Sequence, residues 1–147
     1  MPDFDAITVA LAARFAPGAV TPPAGYDNIR TSTGNLPGQM VPLPAVLVFP
    51  DSGVFDYVPS KRDSTHEFVI RFYYNQIGDL ERDMVALRKW LTVLVDQLRL
   101  STQLSGIVTF ARIATWKIGV LEYANVNYSA IELRAVVKVN EGWAPSS

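Results

Sequence analysis

Residues 79–99 (DLERDMVALRKWLTVLVDQLR) have the apolar periodicity of a long amphipathic helix. Six large apolar residues recur in steps of four and three, which places them on one helical face: Leu80, Met84, Leu87, Leu91, Leu94 and Leu98. Asp79 is the expected N-cap, and Arg99 lies in the last turn. Such a rod, roughly 31 Å long, needs a large apolar surface to cover it, and a β-sheet is the best candidate in this chain.

The remaining pattern predicts one more helix and several strands. Residues 3–15 form an amphipathic helix that Pro17 and Gly18 terminate. The strand candidates are 45–49, 54–58 as its return partner after a turn at 51–53, 66–74, 107–119, 120–128 with a bend at Ala124-Asn125, and 130–140. Because strands occur in runs, the sequence predicts an α+β fold with a mostly antiparallel sheet, a β-hairpin and two helices packed on one face.

The segment 16–44 is rich in proline and glycine and predicts an extended loop. A short strand over residues 26–31 is the one regular element expected there. The last residues, 141–147, are expected to form a flexible tail. By length, residues 1–147 make one domain.

Composition argues against several classes of protein. The formal net charge of −1 provides no basic field for nucleic acid. The absence of cysteine removes disulfides, thiolate nucleophiles and cysteine-based metal sites. We see neither a signal peptide nor an apolar stretch long enough to span a membrane.

Residues that carry chemistry do not cluster in the sequence, so we expect no catalytic, cofactor or metal site. His66 is the single histidine, and we interpret it as a surface or strand-end residue. The acidic group at the start of the long helix complements the helix dipole. The glycines at 34, 38 and 53 match no phosphate-binding motif. Aromatic residues in strand 66–74 fit core packing better than an RNA-stacking platform.

Candidate interface residues lie at three places in the sequence. Trp90 falls outside the main helical stripe, which fits either a core rim or an interface. The full candidate set is Arg88, Lys89 and Trp90 on the helix flank, Lys61 and Arg62 in a polar turn, and Tyr26 with Arg30 near the loop.

Four segments together resemble the tail terminator proteins of long-tailed bacteriophages. They are the helix DAITVALAARF, the strand LPAVLVFP, the strand and helix HEFVIRFYYNQIGDLERDMVALRKWLTVLVDQL, and the closing pair YANVNYSAIELRAVVKV. The likeness is one of order, length and pattern rather than of a catalytic signature. No binding residue is therefore transferred from the family.

The resemblance implies a non-enzymatic virion protein that acts at the junction of tail and head. Its subunits would form a ring, typically a hexamer, that ends growth of the tail tube and then presents a docking surface to the head. The implied partners are further copies of the chain, the major tail tube protein and the head-completion or connector protein. DNA would pass through the lumen without specific binding, and assembly would follow synthesis in the host cytoplasm.

Three alternatives remain open from the sequence. A different neck, connector or tail-completion protein would share the same features. A small domain that binds RNA or another ligand would use the strand aromatics and show salt-dependent retention on nucleic acid. An enzyme is the third alternative, and the scattered acid, base and nucleophile residues argue against it.

Overall fold

The computed structural model describes residues 2–58 and 61–140 and, for Lys61, the backbone alone. The predicted tail at 141–147 lies outside the described residues. The elements are α1 (Phe4–Arg14), β1 (Thr31–Thr33), β2 (Ala45–Val58), β3 (Lys61–Gln76), α2 (Leu80–Arg99), a single 3₁₀ turn (Leu104–Gly106), β4 (Phe110–Tyr123) and β5 (Val126–Asn140).

The five strands form one sheet in the order β1-β2-β3-β5-β4. All neighbouring pairs are antiparallel except β1 and β2, which are parallel. The register across the centre places Val48 opposite Ile70, and Ile70 opposite Leu133. The predicted α+β class with a mostly antiparallel sheet is confirmed.

Both predicted helices are confirmed, and aspartates cap their first turns. The Asp3 carboxylate accepts a hydrogen bond from the Ala6 amide at 3.0 Å, and the Asp79 carboxylate accepts one from the Arg82 amide at 3.1 Å. Each cap satisfies an amide that has no partner within its helix. The two boundaries were readable from sequence because capping is a local interaction.

The main core lies between the two helices and one sheet face, here called the helix face. Its sheet residues are alternating apolar side chains of the three central strands: Val46, Val48, Phe68, Ile70, Phe72, Ile131, Leu133, Ala135 and Val137. Helix α1 packs Ile7 and Leu11 into this core, and α2 packs Leu87 and Leu94. Burial of these side chains supplies the main favourable free energy of folding.

The buried side of α2 differs from the predicted stripe. Leu80 is largely exposed, whereas Asp83, Trp90 and Gln97 are buried. The two buried polar groups have partners. Asp83 accepts a hydrogen bond from the Ser129 hydroxyl, and Gln97 donates to the carbonyls of Arg14, at the end of α1, and Ala19, in the loop that follows. The apolar pattern alone cannot show that a polar residue is buried with a hydrogen-bond partner. The predicted buried face of α2 is therefore rotated about the helix axis relative to the observed one.

The turn predicted at residues 51–53 is wrong, because β2 runs continuously through this stretch to Val58. The register instead shifts between Pro50 and Ser52, which marks a β-bulge. Strand β1 pairs with β2 only as far as Leu47, so Pro50 lies at the sheet edge, where a missing amide hydrogen is tolerated. The hairpin partner of β2 is β3.

Two further strand predictions also change. The short strand expected at 26–31 is displaced to Thr31–Thr33, although Val20 and Ile29 in the same loop are buried in the core. The three strands predicted after α2 are two, because Ala124 and Asn125 form a tight hairpin turn where a bend was expected. Both turn residues have positive φ, as a type I′ connection requires.

The sheet face away from the helices, here called the open face, has a small second core. Leu47, Tyr73, Tyr128 and Ala130 are buried there, with Met40 and Leu43 of the long loop packed against them. The Tyr123 hydroxyl donates to the Pro37 carbonyl. Part of the predicted extended loop therefore covers one end of the open face.

Candidate assembly interfaces

A β-hairpin of β2 and β3 continues along the sheet edge past the short strand β1. Its strands are residues 48–58 of β2 and 61–70 of β3, and we call this hairpin the β2 arm. In the part of the chain that the structure describes, nothing pairs with the outer side of β2 beyond Leu47. The arm carries four exposed large apolar side chains: Val54, Phe55, Tyr57 and Val58. An open strand edge with apolar side chains is a site where another chain can add a strand.

An apolar groove lies beside the edge of the arm on the helix face. It has a volume of about 400 Å³, and its lining includes Phe4, Pro50, Gly53, Phe55 and His66. The His66 ring packs edge-on against the Phe4 ring, with centroids 4.8 Å apart, and against the Phe55 ring at 5.1 Å. We call this cavity the Gly53 groove.

Glycine is required at position 53 because the His66 ring lies too close to leave room for a side chain. A Cβ built on Gly53 would overlap the His66 imidazole, which lies over the glycine from the neighbouring strand. Every larger residue would displace the ring. The glycine therefore keeps the groove open and the histidine in place. His66 itself is buried within β3, so the prediction of a surface or strand-end histidine is wrong.

The opposite edge of the sheet is strand β4. Its outer side has no strand partner within residues 2–58 and 61–140. Phe110, Trp116 and Val120 project from it as exposed large apolar residues, and Trp116 is 59% exposed. Trp116 pairs with Leu133, a helix-face residue, and borders a shallow groove with Leu91 and Val95 of α2. A tryptophan this exposed on an open edge is typical of an interface residue.

Charged side chains on the open face pair across the strands. Arg134 contacts Glu67 at 2.8 Å and Asp51 at 2.9 Å, and Arg71 contacts Glu132 at 3.0 Å. The hydrogen bonds that Arg134 donates to Glu67 and Asp51 raise the pKa of its guanidinium. Because these cations and carboxylates form ion pairs with one another, we interpret the cluster as cross-strand pairing and not as a substrate-binding site.

The structure brings some of the predicted interface residues together. The Lys89 ammonium lies 5.5 Å from the centroid of the half-buried Tyr26 ring, which in turn contacts Tyr74. Arg30 is exposed and forms an ion pair with Asp27 at 3.6 Å. These residues form one flank beside α2, which remains a predicted contact surface.

The other predicted residues are separated from that flank. Arg62 lies in the β2 arm, 5.7 Å from the centroid of the Tyr57 ring, and Arg88 is exposed on α2. The side chain of Lys61 lies outside what the structure describes. Trp90 is fully buried, with its ring centroid 4.7 Å from that of Phe72, so its assignment as an interface residue is wrong. Trp90 is buried although it lies outside the predicted apolar stripe, because the buried face of α2 is wider than that stripe.

The residues with the strongest interface character were missed at the sequence level. Trp116 and Phe55 were assigned only to strands. Alternation within a strand shows which residues share a face, but it does not show where the covering helix ends. The one available signal was the high density of aromatic and β-branched residues in the predicted strands 54–58 and 107–119.

Other chemistry is sparse among the described residues. Within residues 2–58 and 61–140, no three His, Asp or Glu side chains group as metal ligands, and no helix is long and apolar enough to cross a membrane. Phe68, Phe72 and Tyr73 are fully buried, so their interpretation as core residues is confirmed and they offer no surface to stack RNA bases. The expectation that the chain is not an enzyme stays a prediction.

A scan against protein-family models and a search of curated proteins both give no match to this chain.

Proposed function

We propose that this chain is a structural subunit of a bacteriophage tail that assembles into a ring and ends growth of the tail tube. The observation that carries the proposal is the pair of open sheet edges, the β2 arm and β4, at opposite sides of one subunit. A subunit with two different adhesive edges associates head to tail, and such an association closes into a ring when its rotation permits. The resemblance to tail terminators supplies the biological setting.

The proposed ring would have a tube-binding side and a head-binding side. Its partners are the major tail tube protein and a head-completion or connector protein, and the resemblance implies that the ring is a hexamer. The flank around Tyr26, Arg30 and Lys89 is a candidate for one of these contacts, since its two cationic residues, Arg30 and Lys89, are exposed. DNA passes through the lumen without base-specific contacts, which fits the net charge of −1.

The test is tube assembly with purified components. The major tail tube protein from the same genome is polymerised with and without this chain, and tube lengths and ends are measured by negative-stain electron microscopy. We expect shorter tubes with a ring at one end when the chain is present. Tubes of unchanged length with bare ends would contradict the proposal.

The same components separate the neighbouring alternative. A connector or neck protein would bind portal complexes and leave tube ends uncapped, whereas a terminator binds tube ends without the portal. Comparing capture of the chain on immobilised tubes and on immobilised portal therefore distinguishes the two functions.

A further inference from the structure

The two open edges have strand directions that suit head-to-tail pairing. Strands β2, β3, β5 and β4 are successive antiparallel neighbours, so β4 runs opposite to β2. A second copy placed beside the first in the same orientation therefore brings its β2 arm antiparallel to β4. Strand β1 covers residues 45–47 of β2, which leaves residues 48–58 as the part available for pairing.

The charges along the two edges are complementary on the open face. Asp51 and Asp56 are the charged residues of β2 in the arm, and they are five positions apart with a bulge between Pro50 and Ser52. Arg112 and Lys117 on β4 are also five positions apart, with a bulge between Ile113 and Thr115. An antiparallel register that sets Arg112 opposite Asp56 therefore also sets Lys117 opposite the bulged pair Asp51 and Ser52.

Cross-strand partners show that all four charges share one face. Arg112 pairs with Val136 and Lys117 with Glu132, which are both open-face positions. Asp51 contacts the open-face residue Arg134, and Asp56 stands opposite Asp63 on the neighbouring strand.

The same register places Trp116 beside the Gly53 groove. With one bulge on each strand, Arg112 opposite Asp56 leads to Thr115 opposite Val54 and Trp116 opposite Gly53. Trp116 and the groove are both on the helix face, and the groove presents aromatic and apolar walls. A buried tryptophan covers a large apolar area and is a frequent hot spot of an interface.

This register also defines the offset between copies. Across the sheet of one subunit, Trp116 is level with Val48 through Leu133 and Ile70. Placing Trp116 opposite Gly53 shifts the neighbour along the strands by four paired positions, because Asp51 is the extra residue of the bulge, or by about 13 Å. The shift moves β4 away from β1 and toward the free part of the arm. A stagger of this kind accompanies the strand tilt of closed β-structures.

We propose that a second copy of this chain occupies the β2 arm. Strand β4 of one copy pairs antiparallel with residues 50–58 of the next, and Trp116 enters the Gly53 groove. This interface deepens the proposed function, because it rests on the ring and names the surfaces that join its subunits. The interface is heterologous, so each copy contributes one edge of each kind.

The first test uses one disabled edge at a time. Trp116→Glu disables β4, Phe55→Glu disables the groove, and Val85→Glu on the exposed side of α2 is the matched control. Native mass spectrometry of the full chain should show each edge variant at the monomer mass of 16.2 kDa and the control assembled like the natural chain. Circular dichroism checks that each variant is folded.

Mixing the two edge variants tests the head-to-tail arrangement. Each variant retains the edge that the other lacks, so a mixture has one intact interface per pair and should form a 1:1 heterodimer that grows no further. Absence of that heterodimer, or assembly of the Trp116→Glu variant alone, would overturn the interface while leaving a ring joined elsewhere.

Cysteine cross-linking tests the register and does not depend on disabling either edge. The natural chain has no cysteine, and Thr115 and Val54 are both exposed. The double variant Thr115→Cys/Val54→Cys should form a covalent series of oligomers on oxidation, whereas Thr115→Cys/Val85→Cys should not. Equal products from both variants would overturn the register.

The outcomes also distinguish the interface from the proposed function. If the natural chain is a monomer even with tube ends, the ring and the interface are both wrong. If the interface forms but tubes stay uncapped, only the proposed function is wrong.

Discussion

Arg14 and Gln97 join the end of α1 to α2 through reciprocal hydrogen bonds. The Gln97 side-chain amide donates to the Arg14 carbonyl at 2.8 Å, and the Arg14 guanidinium donates to the Gln97 carbonyl at 3.0 Å. The same amide also donates to the Ala19 carbonyl at 3.0 Å. The Arg14 carbonyl lies in the last turn of α1, where carbonyls lack partners within the helix, and the buried Gln97 supplies its donor.

Replacing Gln97 with leucine should destabilise the fold although it adds apolar surface. The substitution leaves two carbonyls without their donor, and a buried polar group without a partner costs about 1–3 kcal/mol. Urea unfolding at one fixed protein concentration measures the change. The control, Gln103→Leu at an exposed position, should change the free energy of unfolding by less than about 0.5 kcal/mol. Equal effects would show that the Gln97 hydrogen bonds contribute little.

Asp83 is a second buried polar residue of α2 with a structural partner. Its carboxylate accepts a hydrogen bond from the buried Ser129 hydroxyl at 3.0 Å. Since hydrogen bonds to charged groups contribute about 1.5–3 kcal/mol, we expect Asp83→Ala to lower the free energy of unfolding by that order. Asp96→Ala removes an exposed partner of Arg99 and should cost about 0–1 kcal/mol. Thermal unfolding of both variants makes the comparison, and a smaller loss at Asp83 would refute it.

The close approach at Gly53 predicts a steep penalty for adding a side chain. Gly53→Val must displace the His66 ring, and overpacking of this kind typically costs about 1–3 kcal/mol. Gly38→Ala is the matched control, since a Cβ there meets no atom within 4 Å. Urea midpoints of the two variants should separate clearly. A Gly53→Val protein as stable as the control would mean that His66 does not occupy this position.

Trp90 should behave as a core residue. We expect Trp90→Ala to cost about 3–5 kcal/mol, since the side chain is fully buried against Phe72. Lys89→Ala, at an exposed neighbouring position, should change the free energy of unfolding by less than about 0.5 kcal/mol. Hydrogen exchange of the α2 amides reports both changes. A stable Trp90→Ala protein with altered assembly would restore the original interface assignment.

Local interactions account for what the sequence predicted well. The caps at Asp3 and Asp79 and the alternation in β3 depend on neighbours along the chain, so both helices and the central strand were found. The bulge after Pro50 and the burial of Asp83 and Gln97 depend on residues far away in sequence. These features became visible only when the strand order and the partners were known.

The same limit explains the interface residues. Trp90 and Trp116 both occur in regular elements with apolar neighbours, and nothing local distinguishes the buried tryptophan from the exposed one. The difference arises because α2 covers Phe72, on a central strand, and leaves much of Trp116, on the edge strand, uncovered. Strand order is a property of the whole sheet, which short-range patterns do not encode.

Ring assembly is tested most directly by the native mass of the full chain, alone and after incubation with ends of the tail tube. We expect a closed assembly whose mass is one fixed multiple of 16.2 kDa, six by the family resemblance, and which remains bound to tube ends. A mass of 16.2 kDa under both conditions, with no chain retained on the tube, would contradict it.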